Sequence, residues 1–316
     1  MTENFSDRLF AAVKEKKSVA VVGIDPQLDL FPPELQEVVD DLGERQKALE
    51  IFGNGIIDAV ADLVPAVKPN IAFYETFGLA GVAAYINICA HAFKKGLIVI
   101  GDVKRGDISS TAAAYAAGLL RPLPAAGARA DNPFQFGPHH AITVNPYLGS
   151  DNTVPFLKNA DPNGQGLFML VKTSNPSSAE IQDLPLADGG TVADAVARLV
   201  AQWGADRKGE CGLSSVGAVV GATHPQMLAH FRELMPDTPF LLPGYGAQGG
   251  TAAGIMPAFR PDGSGAVVNA SRSVIYAWRK AAPGKDWKNA ARDAAAAMNA
   301  DINGELSACG KDAAIK

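Results

Sequence analysis

The sequence predicts an α/β fold, a single-domain (β/α)8 TIM barrel spanning residues 1–316. Short runs rich in Val, Ile and Leu recur along the chain without alternating with polar residues, as in parallel strands covered on both faces. Helical patterns separate most of these runs. No linker or break in composition divides the chain, and 316 residues at 47% hydrophobic content suffice for one large core. A doubly wound open sheet is the alternative fold.

The first element, "MTENFSDRLFAAVKEKK", reads as an amphipathic helix with Phe5, Leu9 and Val13 on one face, and it lacks a signal-peptide layout. The expected strands follow in order. They are "VAVVGID" (19–25), "PAVKPN" (65–70), "LIVIGDV" (97–103) and "AITVN" (141–145), then "LFMLVK" (167–172), "VGAVVGA" (216–222), "PFLLPG" (239–244) and "GAVVNAS" (265–271). Each run ends in, or leads directly into, polar or glycine residues. "ERQKALEIFGNGIIDAVADL" and "VADAVARLVAQW" predict helices between them. Residues 118–140, with Pro122, Pro124, Pro133 and Pro138, form an irregular insert before the fourth strand. Residues 173–191, "TSNPSSAEIQDLPLADGGT", have loop chemistry and are the lid candidate. "WKNAARDAAAAMNADI" predicts a C-terminal helix, followed by a tail expected to fray.

Composition removes several function classes. A net charge of −5 argues against nucleic acid or an anionic membrane as the main partner. No apolar run approaches the roughly 20 residues that span a bilayer. Cys89, Cys211 and Cys309 are far apart and have no metal-ligand spacing, so neither a disulfide framework nor a zinc site is expected. The reducing cytoplasm is the expected compartment.

In such a barrel the chemistry sits where the strands end. The polar residues there are Asp25, Lys68, Asp102, Lys104, Asn145, Lys172, Thr173, Ser174, Thr223, Gln248 and Arg272. The stretch "GLIVIGDVKRGDISST" (96–111) crowds Asp102, Lys104, Arg105 and Asp107 at the mouth of an apolar strand. Asp102 and Lys104, two apart, project to one side of a regular strand. They suit either a structural ion pair or a catalytic one. Asp107 lies past the strand, where it either caps the next helix or reaches a site from the turn. Lys68 brings a second cation to the same rim. A lysine between carboxylates stays protonated, which suits a proton donor rather than a Schiff-base nucleophile. "GYGAQGGTAAG" (244–254) holds five glycines after the seventh strand, either a surface loop or a phosphate cradle of backbone N–H groups. Arg272, after the eighth strand, either starts an exposed helix or grips two phosphate oxygens in a fork. Lys172 reads as a phosphate or orienting group and Asn145 as a tie between loops. His224 reads as structural, and the adjacent His139 and His140 of the insert make a poor metal site.

The run Asp-x-Lys-x-x-Asp-Ile-x-x-Thr, residues 102–111, resembles the signature of the orotidine 5'-monophosphate decarboxylase family. "GIDP" with Asp25, "VKPN" with Lys68, "TSNP" with Ser174, "PGYGAQGG" with Gln248 and Gly249, and "NASRSVIYA" with Arg272 match further segments in the family's order. "VNPYLGSD" and "PGYGAQGG" are most similar to the longer bacterial type 2 subfamily. The resemblance implies decarboxylation of orotidine 5'-monophosphate to UMP and CO2, the last step of de novo pyrimidine nucleotide synthesis, with no metal or organic cofactor. It implies Lys104, Asp102, Asp107 and Lys68 as catalytic residues. Asp25, Thr111, Ser174, Gln248, Gly249 and Arg272 are implied to bind substrate. It further implies a homodimer with shared active sites, Asp107 and Thr111 reaching into the partner's.

Chemistry agrees with that resemblance. Loss of CO2 from C6 leaves a carbanion in the ring plane with no conjugated sink, so stabilisation has to be electrostatic. Lys104 as an ammonium serves that charge and then protonates C6, while Asp102 faces the substrate carboxylate. The rivals are a metal-dependent sugar-phosphate epimerase or decarboxylase, a Schiff-base aldolase using Lys104 or Lys172, and a non-catalytic nucleotide-binding protein with a decayed site.

Overall fold

The computed structural model describes residues 2–40, 44–123, 136–187, 189–222, 225–246, 249–282 and 284–316, with only the backbone of 37–40. Eight strands form the barrel: β1 (Ala20–Ile24), β2 (Ala66–Pro69), β3 (Ile98–Arg105), β4 (Ala141–Val144), β5 (Gly166–Lys172), β6 (Val216–Val220), β7 (Phe240–Pro243) and β8 (Ala266–Ala270). Each pairs in parallel with the next, and β8 pairs with β1, so the sheet closes. Closure excludes the open doubly wound sheet. Every strand boundary falls within two residues of the apolar run that predicted it. The reason is burial: all residues of β1, β2, β4, β6 and β8 are buried, so their sequences carry no alternation.

The helix Phe5–Lys16 lies against the amino-terminal ends of the strands, with Phe5, Leu9 and Val13 fully buried. Phe5 meets Phe168 edge-on at 5.8 Å. Gly166 is needed beneath it, since a Cβ there would lie 2.2 Å from the Phe5 ring. The helix is capped by Asn4, and its Asp7 accepts the Glu210 and Cys211 N–H groups. The helix Val192–Gly204 opens with a reciprocal cap between Thr191 and Asp194. The C-terminal helix runs Trp287–Ala308, six residues longer than its sequence pattern. It docks through Trp287, 5.3 Å from the Phe52 ring, and through a fork from Arg292 to Asp62. The tail after it departs from the expected fraying. Ile315 is buried, Ala314 N–H donates to Asp262 O, and Lys311 donates to Met256 O and Phe259 O. Among the described residues no helix is long and apolar enough to cross a membrane.

Residues 124–135 of the insert lie outside the described residues; its two ends are tied to the barrel. Gln165 donates to both Arg121 O and His139 O, and Asn163 donates to Leu120 O. His139 donates from Nδ1 to Leu119 O, so its Nε2 accepts the Tyr85 hydroxyl at 2.9 Å. His140 accepts the Val99 N–H and stacks on Phe93. Both histidines are structural. Burial pushes His139 down to about 4. Burial, with Arg8 and His139 nearby, pushes His140 down to about 3.

The unfolded chain therefore takes up two protons near pH 6.5 that the fold refuses until about pH 4 and 3. Stability is full above about pH 6.5 and falls as pH drops toward 4. From pH 7 to 5 the expected loss is about 2 kcal/mol per histidine, read from denaturant midpoints. A flat profile over that range would refute burial of neutral histidines.

Candidate active site

The carboxyl ends of the strands enclose a cavity of about 510 Å³. Asp25, Lys68, Asp102, Lys104, Ser174 and Arg272 all line it. These six come from β1, β2, β3, β5 and β8 or the residues just after them, so closure of the barrel is what gathers them.

At its floor Asp102 holds two lysines. Oδ2 accepts Lys68 Nζ at 2.5 Å and Oδ1 accepts Lys104 Nζ at 2.6 Å. The side chains of Lys68 and Asp102 are each 7% exposed, whereas that of Lys104 is 48% exposed. Lys104 is thus the cation that faces open space. Burial alone would raise the Asp102 carboxyl, but Lys68 and Lys104 outweigh it and hold the group well below the usual range. Burial alone would lower Lys68, and the charges of Asp102 and Asp25 reverse that.

The two-residue alternation expected for Asp102 and Lys104 does not describe the backbone. Between the pairs Gly101↔Ile142 and Arg105↔Val144, β3 carries three residues and β4 carries one, Thr143. Lys104 sits in this bulge with φ +44, a left-handed conformation rare for a side-chain-bearing residue. The two side chains still meet, because the bulge turns Lys104 back toward Asp102.

Other expectations separate. Asp107 and Thr111 do not line the cavity within this chain. Asp107 is not a helix cap either. Among the described residues the helix Ser109–Leu119 begins after Ile108 with no side-chain cap, and the Asp107 carboxylate accepts only the adjacent Ile108 N–H. Asn152 fixes the turn, accepting Asp107 N–H and donating to Asn145 O. Asn145 does tie loops, through Arg105 O and Tyr147 N–H. Gly249 lies off the cavity at φ +91, in a turn closed by Gly249 N–H to Gly246 O and Gly250 N–H to Gly244 O. Gln248, Thr223 and His224 lie outside the described residues. Lys172 does not line this cavity but an adjoining one, with Thr173, Ser174 and Asn175. It is buried and pairs with Asp183 at 2.6 Å, while Gln182 bonds Thr173 twice. Those contacts fold the lid candidate into a short helix, Ala179–Gln182, rather than an open loop.

Asn70, Thr143, Tyr245, Asn269 and Ser271 also line the cavity and were not singled out from sequence. Thr143 and Asn269 sit inside apolar runs, where one small polar residue gives no signal. Position was the usable clue, since both lie within two residues of a strand's carboxyl end. Asp25 Oδ1 and Asn269 Oδ1 are buried without a hydrogen-bond partner among the described residues.

A family model described as Orotidine 5'-phosphate decarboxylase / HUMPS family matches residues 41–286. The orotidine 5'-phosphate decarboxylase of Rhodopirellula baltica is 42% identical over 310 residues, covering 95% of this chain and 99% of its own. A crystal structure from Streptomyces avermitilis superposes with a TM-score of 0.78 at 36% identity, covering 97% of this chain and 98% of that one. The Leishmania donovani OMP decarboxylase superposes with a TM-score of 0.72 at 31% identity, covering 96% of this chain and 98% of its own.

Asp102→Asn tests the floor of the site. It leaves Lys68 buried beside a second cation without its hydrogen-bonded carboxylate, with only the charge of Asp25 nearby. The expected cost is about 3–5 kcal/mol of unfolding free energy, read from denaturant midpoints. A variant as stable as the parent would show that the lysines do not depend on this carboxylate.

Proposed function

The chain belongs to the orotidine 5'-phosphate decarboxylase family, and we propose that Lys104, held by Asp102, carries the family's reaction here. That reaction decarboxylates orotidine 5'-monophosphate to UMP and CO2, the last step of de novo pyrimidine nucleotide synthesis, and makes the chain a carboxy-lyase. The observation that carries the assignment is the Lys68–Asp102–Lys104 array, in which only Lys104 is half-exposed to the cavity. Its ammonium stabilises the negative charge that develops at C6 and then donates the proton there. Lys68 keeps Asp102 ionised from behind. Asp25, with an unpartnered buried oxygen, offers an acceptor for a substrate hydroxyl. Ser174 is assigned to the pyrimidine. Arg272 and the glycine turn with Gly249 and Gln248 are assigned to the phosphate. The reading needs neither metal nor organic cofactor. It places the chain in the cytoplasm, in keeping with three free cysteines.

We also read the active form as a homodimer. Ile108, Tyr115, Tyr147, Leu148 and Val154 are exposed by 39–79% on the flank that carries Asp107 and Thr111. They come from helices Ser109–Leu119 and Ser150–Ala160, which pack on each other, and from the loops before them. An apolar face of this kind seeks a partner. A second copy placed there brings Asp107 and Thr111 toward a site that they do not reach in their own chain.

Two measurements test this. The first follows loss of orotidine 5'-monophosphate absorbance with a chelator present. The parent is expected to keep full turnover, and Lys104→Ala to lose at least roughly 1000-fold while still binding UMP. Loss of activity to the chelator would overturn the cofactor-free reading. A variant retaining more than roughly a tenth of parental turnover would show that another group delivers the proton. The second mixes dissociated Lys104→Ala and Asp107→Ala chains in equal amounts and lets them reassociate. A two-fold dimer with shared sites restores roughly a quarter of parental activity, because half the dimers are mixed and half their sites are whole. No recovery, once mixed dimers are confirmed by mass, would exclude sharing.

A further inference from the structure

The bulge in β3 raises a question that the family's reaction does not answer. Lys104 is held at φ +44, a left-handed conformation that strains a side-chain-bearing residue. Something has to hold it there. Opposite the three bulge residues Asp102, Val103 and Lys104 stands a single residue of β4, Thr143. Its hydroxyl accepts the Lys104 backbone N–H at 2.9 Å and donates to Asp102 Oδ1 at 2.9 Å. Thr143 is 1% exposed, so water does not substitute for either bond.

We infer that Thr143 is a positioning residue for the reaction, its hydroxyl locking the strained Lys104 backbone to the carboxylate that orients the Lys104 ammonium. The donor order is forced. Lys104 N–H has only a proton to give, so the hydroxyl accepts there and its own proton goes to Asp102. An ionised Asp102 is acceptor-only, and the arrangement suits that form alone. Oδ1 then receives both Lys104 Nζ and Thr143 Oγ1, at an angle set by two strands rather than by one flexible side chain. Without the hydroxyl, the bulge keeps its extra residues but loses the bond that fixes their direction. The Lys104 ammonium, on four rotatable bonds and half-exposed, then samples positions off the reacting carbon. Displacements near 1 Å are enough to cost turnover.

The inference rests on the assignment of Lys104, so both are tested together. Thr143→Val keeps shape and removes the hydroxyl; Thr143→Ser keeps the hydroxyl; Lys104→Ala reports on the assignment itself. With Lys104→Ala inactive, Thr143→Val is expected to lower kcat roughly 10- to 100-fold. UMP affinity should stay within about threefold, because the phosphate contacts are remote. Thr143→Ser is expected to recover kcat to within about threefold of the parent. If Thr143→Val fails to fold, Thr143→Ala against Thr143→Ser carries the same comparison. Parental kcat in the hydroxyl-free variant, a parallel loss of kcat and UMP affinity, or failure of Ser to rescue would each overturn the positioning role. An active Lys104→Ala would overturn the assignment beneath it.

Discussion

One buried carboxylate has to satisfy two ammonium groups, and the end of the barrel is built around that requirement. Asp102 is nearly inaccessible and low in pKa only because Lys68 and Lys104 sit on its two oxygens. Only one partner is supplied by regular geometry. Lys68 comes from the neighbouring strand β2, and Lys104 comes from a bulge of β3 in a backbone conformation it would not choose alone. A buried ion pair is weak evidence for stability, since desolvation costs about as much as the attraction returns. Three charges kept at such expense point to chemistry rather than to folding.

The rest of the cavity makes those charges effective. Leu170, Val219 and Leu241, from β5, β6 and β7, present an apolar wall across from them. A wall of hydrocarbon lowers the local dielectric, so a cation counts for several times its value in water. The same wall cannot help with a phosphate, which has to stay near solvent and be met by donors. The division follows the strand order. Acids and lysines cluster on β1 to β3, and apolar residues on β5 to β7. Arg272 and the glycine turn then meet at the rim where β7 and β8 end. The parallel register keeps these at one level, because each strand presents its carboxyl end to the same face.

Much of this was legible in the sequence, for identifiable reasons. Parallel strands buried on both faces write themselves as unbroken apolar runs, so all eight appear near their true limits. A charged residue in such a run has no surface to occupy, which is why Asp102, Lys104 and Lys68 stood out. Thr143 was invisible because threonine is an ordinary strand residue. The bulge was invisible too: "GDVKRG" contains nothing that forbids a regular strand until Gly106. Lys172 misled for the opposite reason. It is a strand-end lysine like the others, but it is buried against Asp183 of the following segment and does not line the cavity. The side of a strand that a terminal residue takes depends on the last residue or two of register, and β5 shifts register between Leu170 and Lys172.

The charge count at the floor bears on how the proposed reaction gains its rate. Repulsion between Asp102 and a substrate carboxylate about 4 Å away is worth roughly 4 kcal/mol at an effective dielectric near 20. That figure treats Asp102 as a lone anion, which it is not. Lys68 and Lys104 lie within hydrogen-bonding distance of it, so these three groups sum to one net positive charge, which the nearby Asp25 and, in the proposed dimer, an Asp107 offset. Repulsion from Asp102 is therefore screened at its source, and what remains is well below 4 kcal/mol. Enzymatic accelerations correspond to about 8–23 kcal/mol. The balance has to come from interactions that grow as CO2 departs. The negative charge that moves onto C6 moves toward the half-exposed cation, so the Lys104 interaction strengthens along the reaction while the Asp102 repulsion fades. In the proposed reaction the half-exposed Lys104 ammonium is the group that meets this charge. On the proposed reading Asp102 contributes chiefly by holding Lys104 in place, and less by pushing the carboxylate away.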